Sequence, residues 1–254
     1  MNEHDQGEFY IGYQQSVPPR LRRTMRRVVI ALLALVVGTA LLVGVGFQRL
    51  SASYFEFGHE REYTGTIMQN PYPALIAVKP GDEGQNYRLS QYLLVGGGKH
   101  AAAVEDFIGR PVKLRGTLIH RREGVMIEVV PGSIEPNGEP PVAIDEPQDL
   151  GLFTLKGEIV DSKCYLGVMN PGRSKVHRDC AVRCISGGIP PLFVACDSAG
   201  NEIALLLTSA HGESVNQAVL DIVAEPVEIT GHVFRQSDSL SLRADPATYK
   251  KLNR

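Results

Sequence analysis

The chain has 254 residues, 43% of them hydrophobic and 21% charged. That composition excludes a disordered chain and a polytopic membrane protein, and the length leaves room for about two small domains beside an anchor. Formal net charge is −2. Removing Arg20, Arg22, Arg23, Arg26 and Arg27, with the early acids Glu3, Asp5 and Glu8, from totals of 26 bases and 28 acids leaves 21 bases against 25 acids. So acidic a bulk offers nucleic acid no electrostatic footing.

Residues 1–27 read as a cytoplasmic tail, with Phe9, Tyr10, Tyr13 and Pro18-Pro19 before the arginine cluster. Val28 to Phe47 is an uncharged run of 20 residues. At 1.5 Å per residue a helix over 28–47 spans roughly 30 Å, the thickness of a bilayer core. Five arginines precede the run and only Arg49 follows it closely, so the positive-inside rule keeps the N-terminus cytoplasmic and exports the rest. The expected location is the inner (plasma) membrane, single-pass, with a periplasmic or extracytoplasmic bulk. A cleaved signal peptide is the competing reading. The long region before the run, the length of the run and the lack of a good A-x-A site argue against it. Residues 48–60 read as a juxtamembrane link, with Tyr54, Phe55 and Phe57 as interface anchors.

An internal repeat organises the remainder of the chain. Asp106-Phe-Ile-Gly-Arg-Pro-Val-Lys-Leu-Arg-Gly116 aligns with Asp221-Ile-Val-Ala-Glu-Pro-Val-Glu-Ile-Thr-Gly231 at an offset of 115 residues. The alignment runs without a gap from Tyr87/Glu202 to Pro131/Pro246. Upstream, Gly65-Thr-Ile67 matches Gly157-Glu-Ile159 at an offset of 92, so the second copy carries about 25 extra residues after its first strand. Each copy predicts a strand (62–69; 154–161), a hairpin (74–79 with 86–94; 191–196 with 202–208) and a short helix (100–108; 214–223). Two alternating strands close each unit (111–120 with 124–130; 226–235 with 239–244). Three strands, a helix and two strands is the order of the OB-fold. The predicted class is mainly β: one transmembrane helix, then two tandem OB-like five-stranded barrels, each with one short helix. Their bounds are 61–131 and 153–246. Between them, 132–152 is a proline-rich, acidic linker of moderate stiffness.

The insertion at 162–189 holds three of the four cysteines, Cys164, Cys180 and Cys184, together with His177. On a helix over 175–186, His177, Cys180 and Cys184 share one face, and Gly187-Gly188 stops the helix. Three readings stay open. Cys164, His177, Cys180 and Cys184 are candidate ligands for zinc or copper, because soft thiolates with one imidazole suit those ions. Alternatively the cysteines pair as disulfides in an oxidising compartment. Or a thiol is reactive, with His177 one helical turn from Cys180, Arg178 and Arg183 nearby, and Asp161 or Asp179 as an orienting group. Cys196 reads as a half-buried structural thiol at a strand end. The first copy has no cysteine and reads as a spacer or docking surface.

No C-x-x-C-H, G-x-S-x-G, H-E-x-x-H or P-loop pattern occurs. The layout of basic tail, single anchor and exported OB-fold resembles the membrane-anchored haem chaperone of cytochrome c maturation. That family's haem-attaching histidine, followed four residues later by tyrosine, has no counterpart in the tail Ala247-Thr-Tyr-Lys-Lys-Leu-Asn-Arg254, so the resemblance transfers no residue and no activity. The functional expectation is a membrane-anchored accessory or assembly protein whose partners are other membrane or periplasmic proteins, and not an enzyme. The alternative is a metal-handling or redox protein serving a membrane enzyme complex.

Overall fold

The computed structural model describes residues 17–48, 53–78, 89–122, 124–142, 144–196 and 201–252. The expectations for Phe9, Tyr10, Tyr13, Arg49 and the strand positions 79 and 86–88 lie outside these residues. The chain divides into two units, Met1–Ser51 and Ala52–Arg254.

The first unit contains one helix, α1 (Pro19–Gln48). Proline suits the first helical turn, where its missing N–H would have no partner. The helix therefore begins nine residues before the apolar run and includes the arginine cluster. Its apolar stretch is unburied and is long and apolar enough to cross a membrane. Thr39, within that stretch, donates its hydroxyl to the carbonyl of Leu35 at 2.8 Å, so the polar group is satisfied inside the helix.

The second unit begins with β1 (Ser53–Met68), β2 (Ala74–Val78), β3 (Leu89–Val95), β4 (Pro111–Arg121) and β5 (Gly124–Val129). They form a barrel in the order β1-β2-β3-β5-β4, closed by β1 against β4, with β3 and β5 parallel. A short strand, β6 (Glu135–Pro136), pairs with β4. Next come β7 (Gln148–Asp161), α2 (Arg178–Ser186), β8 (Pro191–Cys196), β9 (Glu202–Thr208), β10 (Pro226–Gln236) and β11 (Ser239–Arg243), with β12 (Lys250–Lys251) at the edge. The second barrel has the same order, β7-β8-β9-β11-β10, the same closure of β7 on β10 and the same parallel pair, β9 with β11. Two closed five-stranded barrels with a short 3₁₀ helix before the fourth strand are the expected OB-like pair.

The repeat is a repeat of register. Gly65 lies opposite Val112 in the first barrel and Gly157 opposite Val227 in the second. A Cβ at Gly65 would come within 2.3 Å of the carbonyl oxygen of Ile76, and one at Gly157 within 2.1 Å of that of Val194. Only glycine permits that approach of neighbouring backbones, which is why both copies carry it.

Four expectations are corrected in detail. Strand β1 starts at Ser53, inside the stretch read as a juxtamembrane link, because Ser53, Tyr54 and Phe55 pair with Arg121, His120 and Ile119 of β4. Tyr54 stacks on His120, and Phe55 packs into the core rather than serving as a free anchor. The linker is partly sheet: β6 pairs with β4, and β7 begins at Gln148. The predicted helices at 100–108 and 214–223 shrink to 3₁₀ turns at Glu105–Phe107 and Gln217–Ile222.

Each barrel has its own core, centred on Ile67, Leu75, Leu114 and Ile127 in the first and on Ile159, Phe193, Leu205 and Ile229 in the second. A third core joins them. Tyr72, Leu93, Ile119 and Met126 of the first barrel pack with Cys164, Tyr165, Leu166, Cys184, Ile189 and Leu192 of the second. Polar bonds cross the same seam. Tyr72 donates its hydroxyl to the carbonyl of Leu207 at 2.9 Å, and Asp238 accepts from Ser90 and from the backbone N–H of Gln91. The barrels are one packed body, and the insertion is the wedge between them.

Candidate metal centre

The insertion opens where β7 ends. Asp161 is fully buried and accepts the backbone N–H of Cys164 at 2.8 Å, which turns the chain into a π-helical turn, Cys164–Val168. A 3₁₀ turn, Lys175–His177, leads into α2. Cys180 sits in the first turn of α2 and Cys184 one turn later, so both sulfurs lie on the face towards Cys164. After Ser186 the helix stops on Gly187, whose missing side chain admits the carbonyl of Lys99; a Cβ there would lie 1.9 Å from that oxygen.

The sulfurs of Cys164, Cys180 and Cys184 lie within 4.8 Å of one another. Cys164 and Cys184 are buried and Cys180 is half-buried. Cys164 and Cys180 are 4.0 Å apart. A metal–sulfur bond of about 2.3 Å would hold thiolates roughly 3.8–4.0 Å apart on one trigonal or tetrahedral ion. A disulfide needs about 2.05 Å. All four cysteines are free thiols, so the stapled alternative is not the state of this structure. The donor set fits a thiophilic ion.

His177 stands in an overlapping trio with Asp161 and Cys164, whose ligand atoms also lie within 4.8 Å of one another. Its Nε2 is 2.9 Å from Asp161 Oδ2, and both side chains are buried. The four residues singled out in the sequence thus fall into two overlapping trios that share Cys164: the three sulfurs, and Cys164 with the Asp161–His177 pair. A buried carboxylate on one ring nitrogen fixes the ring's orientation, as outer partners of metal-bound histidines do.

Two lysines complete the site. Lys99, in the loop after β3 of the first barrel, donates to the sulfur of Cys180 at 2.8 Å and of Cys184 at 3.7 Å. Lys163 is buried; its ammonium donates to the carbonyls of Gly96 and Gly98, at 2.9 and 2.8 Å, and pairs with Glu128. It pins the Gly96-Gly97-Gly98 loop and so positions Lys99. The sequence holds no signal for either role, because both depend on the meeting of the two barrels. The first copy, read as a spacer, contributes directly to the site. Arg178, expected beside the thiols, pairs instead with Glu225 at 2.5 Å.

The sulfurs divide their protons unequally. Cys184 is pushed down from its ordinary value of 9.0 to about 7, chiefly by a hydrogen bond from Cys164 and with help from Lys99. Cys164 is pushed far up by that same bond to Cys184, by burial and by the charge of Asp161. Cys164 therefore holds its proton, and Cys184 gives up its own more readily than an ordinary thiol. Lys99 is pushed up by its bond to Cys180, which keeps it an ammonium.

The other candidates lie elsewhere. Cys196 is exposed, with Arg173 as its neighbour at 4.0 Å, and is not a half-buried thiol. His232 bonds to Asp149 at 2.9 Å on the surface. Beside the thiol cluster, Tyr165 and Leu166 turn towards a cavity of about 210 Å³ whose wall also includes Leu93, Arg122, Glu202 and Leu240.

Comparison of the chain with protein-family models, with curated proteins and with solved structures returns no match.

Proposed function

We propose that the protein is a membrane-anchored, extracytoplasmic accessory protein that binds one thiophilic metal ion in its second barrel and serves a membrane-bound partner. The observation that carries this reading is the convergence of Cys164, Cys180 and Cys184 at the spacing of ligands on a single ion. Three thiolates suit copper(I), and zinc takes a fourth ligand from His177 or from outside the protein. A thiolate trio on a monovalent ion carries net negative charge, which the ammonium of Lys99 offsets. The ion's chemistry is transfer or redox. The protein's part is to hold deprotonated sulfur in a mostly buried, apolar wedge and to leave Cys180 as the accessible edge.

The anchor reading is supported by α1 and by the arginines at its start, which favour an N-terminus inside the cell. The accessory reading is supported by the lack of any recognisable catalytic motif. In the test, the full chain is exported, purified in detergent without chelator and assayed for metal by elemental mass spectrometry. Near-stoichiometric copper or zinc, lost in Cys180→Ser, is the expected result. Loading that is unchanged in Cys180→Ser removes the proposal. Affinity capture of the tagged chain from membranes then reads the partner, and recovery of the chain alone counts against the accessory role.

A further inference from the structure

We propose that, in the metal-free protein, Lys99 and Cys180 are a peroxide-sensitive pair that forms a covalent, reducible sulfur–nitrogen bridge locking the first barrel to the second. The inference rests on one contact, between a lysine of one barrel that is not itself a metal ligand and a cysteine of the other. Lys99 Nζ is 2.8 Å from Cys180 Sγ, nearer than any other nucleophile described around that sulfur; Cys164 Sγ is 4.0 Å away. Lys163 holds the Lys99 loop in place through the carbonyls of Gly96 and Gly98, so the approach is built and not incidental. Cys180 is the half-buried member of the trio, open to a small oxidant, and it lies in the first turn of α2, facing the Lys99 loop.

The chemistry balances with hydrogen peroxide as the oxidant. The Cys180 thiolate attacks one peroxide oxygen and the O–O bond breaks. Sulfur gives up two electrons, a sulfenate forms and the second oxygen leaves in water. The Lys99 ammonium passes one proton to the sulfenate oxygen, which frees the nitrogen lone pair to attack sulfur. An N–S bond forms, the S–O bond breaks, and oxygen departs as water with the second proton from nitrogen. A thiol reductant reverses the step by cleaving N–S.

The position of the cysteines makes the product diagnostic. All four lie in the second barrel, so no disulfide can join peptides from the two barrels. The full chain is stripped of metal with chelator, exposed to hydrogen peroxide, blocked at free thiols, unfolded and digested with trypsin. The expected product joins peptide 89–113, left uncut at Lys99, to peptide 179–183, with the loss of two hydrogen atoms. Reductant releases it, and Lys99→Arg and Cys180→Ser each lack it. A product confined to a Cys164–Cys180 disulfide, or a Cys180 sulfinic acid with Lys99 still cleavable, overturns the proposal. The decisive reading is on the wild-type chain, so a misfolded variant cannot mask it. Metal content is measured on an unstripped portion, which keeps the failure of this proposal separate from that of the metal site.

Discussion

The two barrels share a strand order, a closure and a register, yet only one carries the thiol cluster. In the first, β1 runs into β2 through a short turn, and the loop after β3 is a plain Gly-Gly-Gly-Lys. In the second, the chain between β7 and β8 is enlarged into a π-helical turn and α2, which carry three thiols. The difference teaches that the barrels are scaffold, and that the site arises where the enlargement of one barrel is pressed against the loop of the other. Lys99 belongs to the barrel without cysteine, and its contact with Cys180 exists only because the barrels pack.

The largest effects test whether the barrels are equivalent as scaffold. Phe193 and Leu75 are fully buried, one in each barrel core. Phe193→Ala should cost about 3–5 kcal/mol and Leu75→Ala about 2–5 kcal/mol. Because a third core joins the barrels, both variants should lower the midpoint of one shared unfolding transition in denaturant. Two separated transitions in either variant would break the picture of a single packed body.

An intermediate effect sharpens the role of the seam. Lys163→Met leaves Glu128 without its buried partner and frees the Gly96–Gly98 loop. It should cost about 3 kcal/mol, near the low end for breaking a buried pair, because Glu128 is partly exposed. It should also reduce metal loading without touching a ligand. Full loading at wild-type affinity would show that the first barrel is a spacer after all.

The smallest effect concerns the thiols alone and has no counterpart in the first barrel. Cys184 is depressed in the folded chain from 9.0 to about 7. Its stabilising contribution is therefore complete above pH 9 and is lost as pH falls through about 7. The metal-free protein should thus gain a little stability between those two values. In the same range one thiol of the cluster should become reactive with iodoacetamide, beside the exposed Cys196, while Cys164 stays inert. Lys99→Gln removes a nearby cation and should move the reactive midpoint upwards. An unmoved midpoint would detach Lys99 from the sulfurs.

Much of this was legible in the chain. The uncharged run before residue 48, the offset of 115 residues and the period-two strands led to the helix and the paired barrels, because side-chain periodicity is set by local backbone geometry. The clustering of Cys164, Cys180 and Cys184 was legible from helical spacing and from the size of the insertion. Element ends were less legible. The extra length of β1 depends on pairing with β4, more than fifty residues away, and the helices expected between β3 and β4 and between β9 and β10 shortened to 3₁₀ segments at Glu105–Phe107 and Gln217–Ile222.

By itself, the sequence determined the long apolar N-terminal helix, the barrel repeat and the enclosure of three thiols in one insertion, since each follows from local spacing and hydrophobic pattern. Only the tertiary structure decided that the barrels fuse through a common core and that His177 is drawn to Asp161. It also decided that an ammonium from the cysteine-free barrel faces the sulfurs. These contacts join residues from 16 positions apart, for His177 and Asp161, to 148, for Ser90 and Asp238 across the seam, and their energies come from burying charge, sulfur and apolar surface together, which no local pattern along the chain encodes.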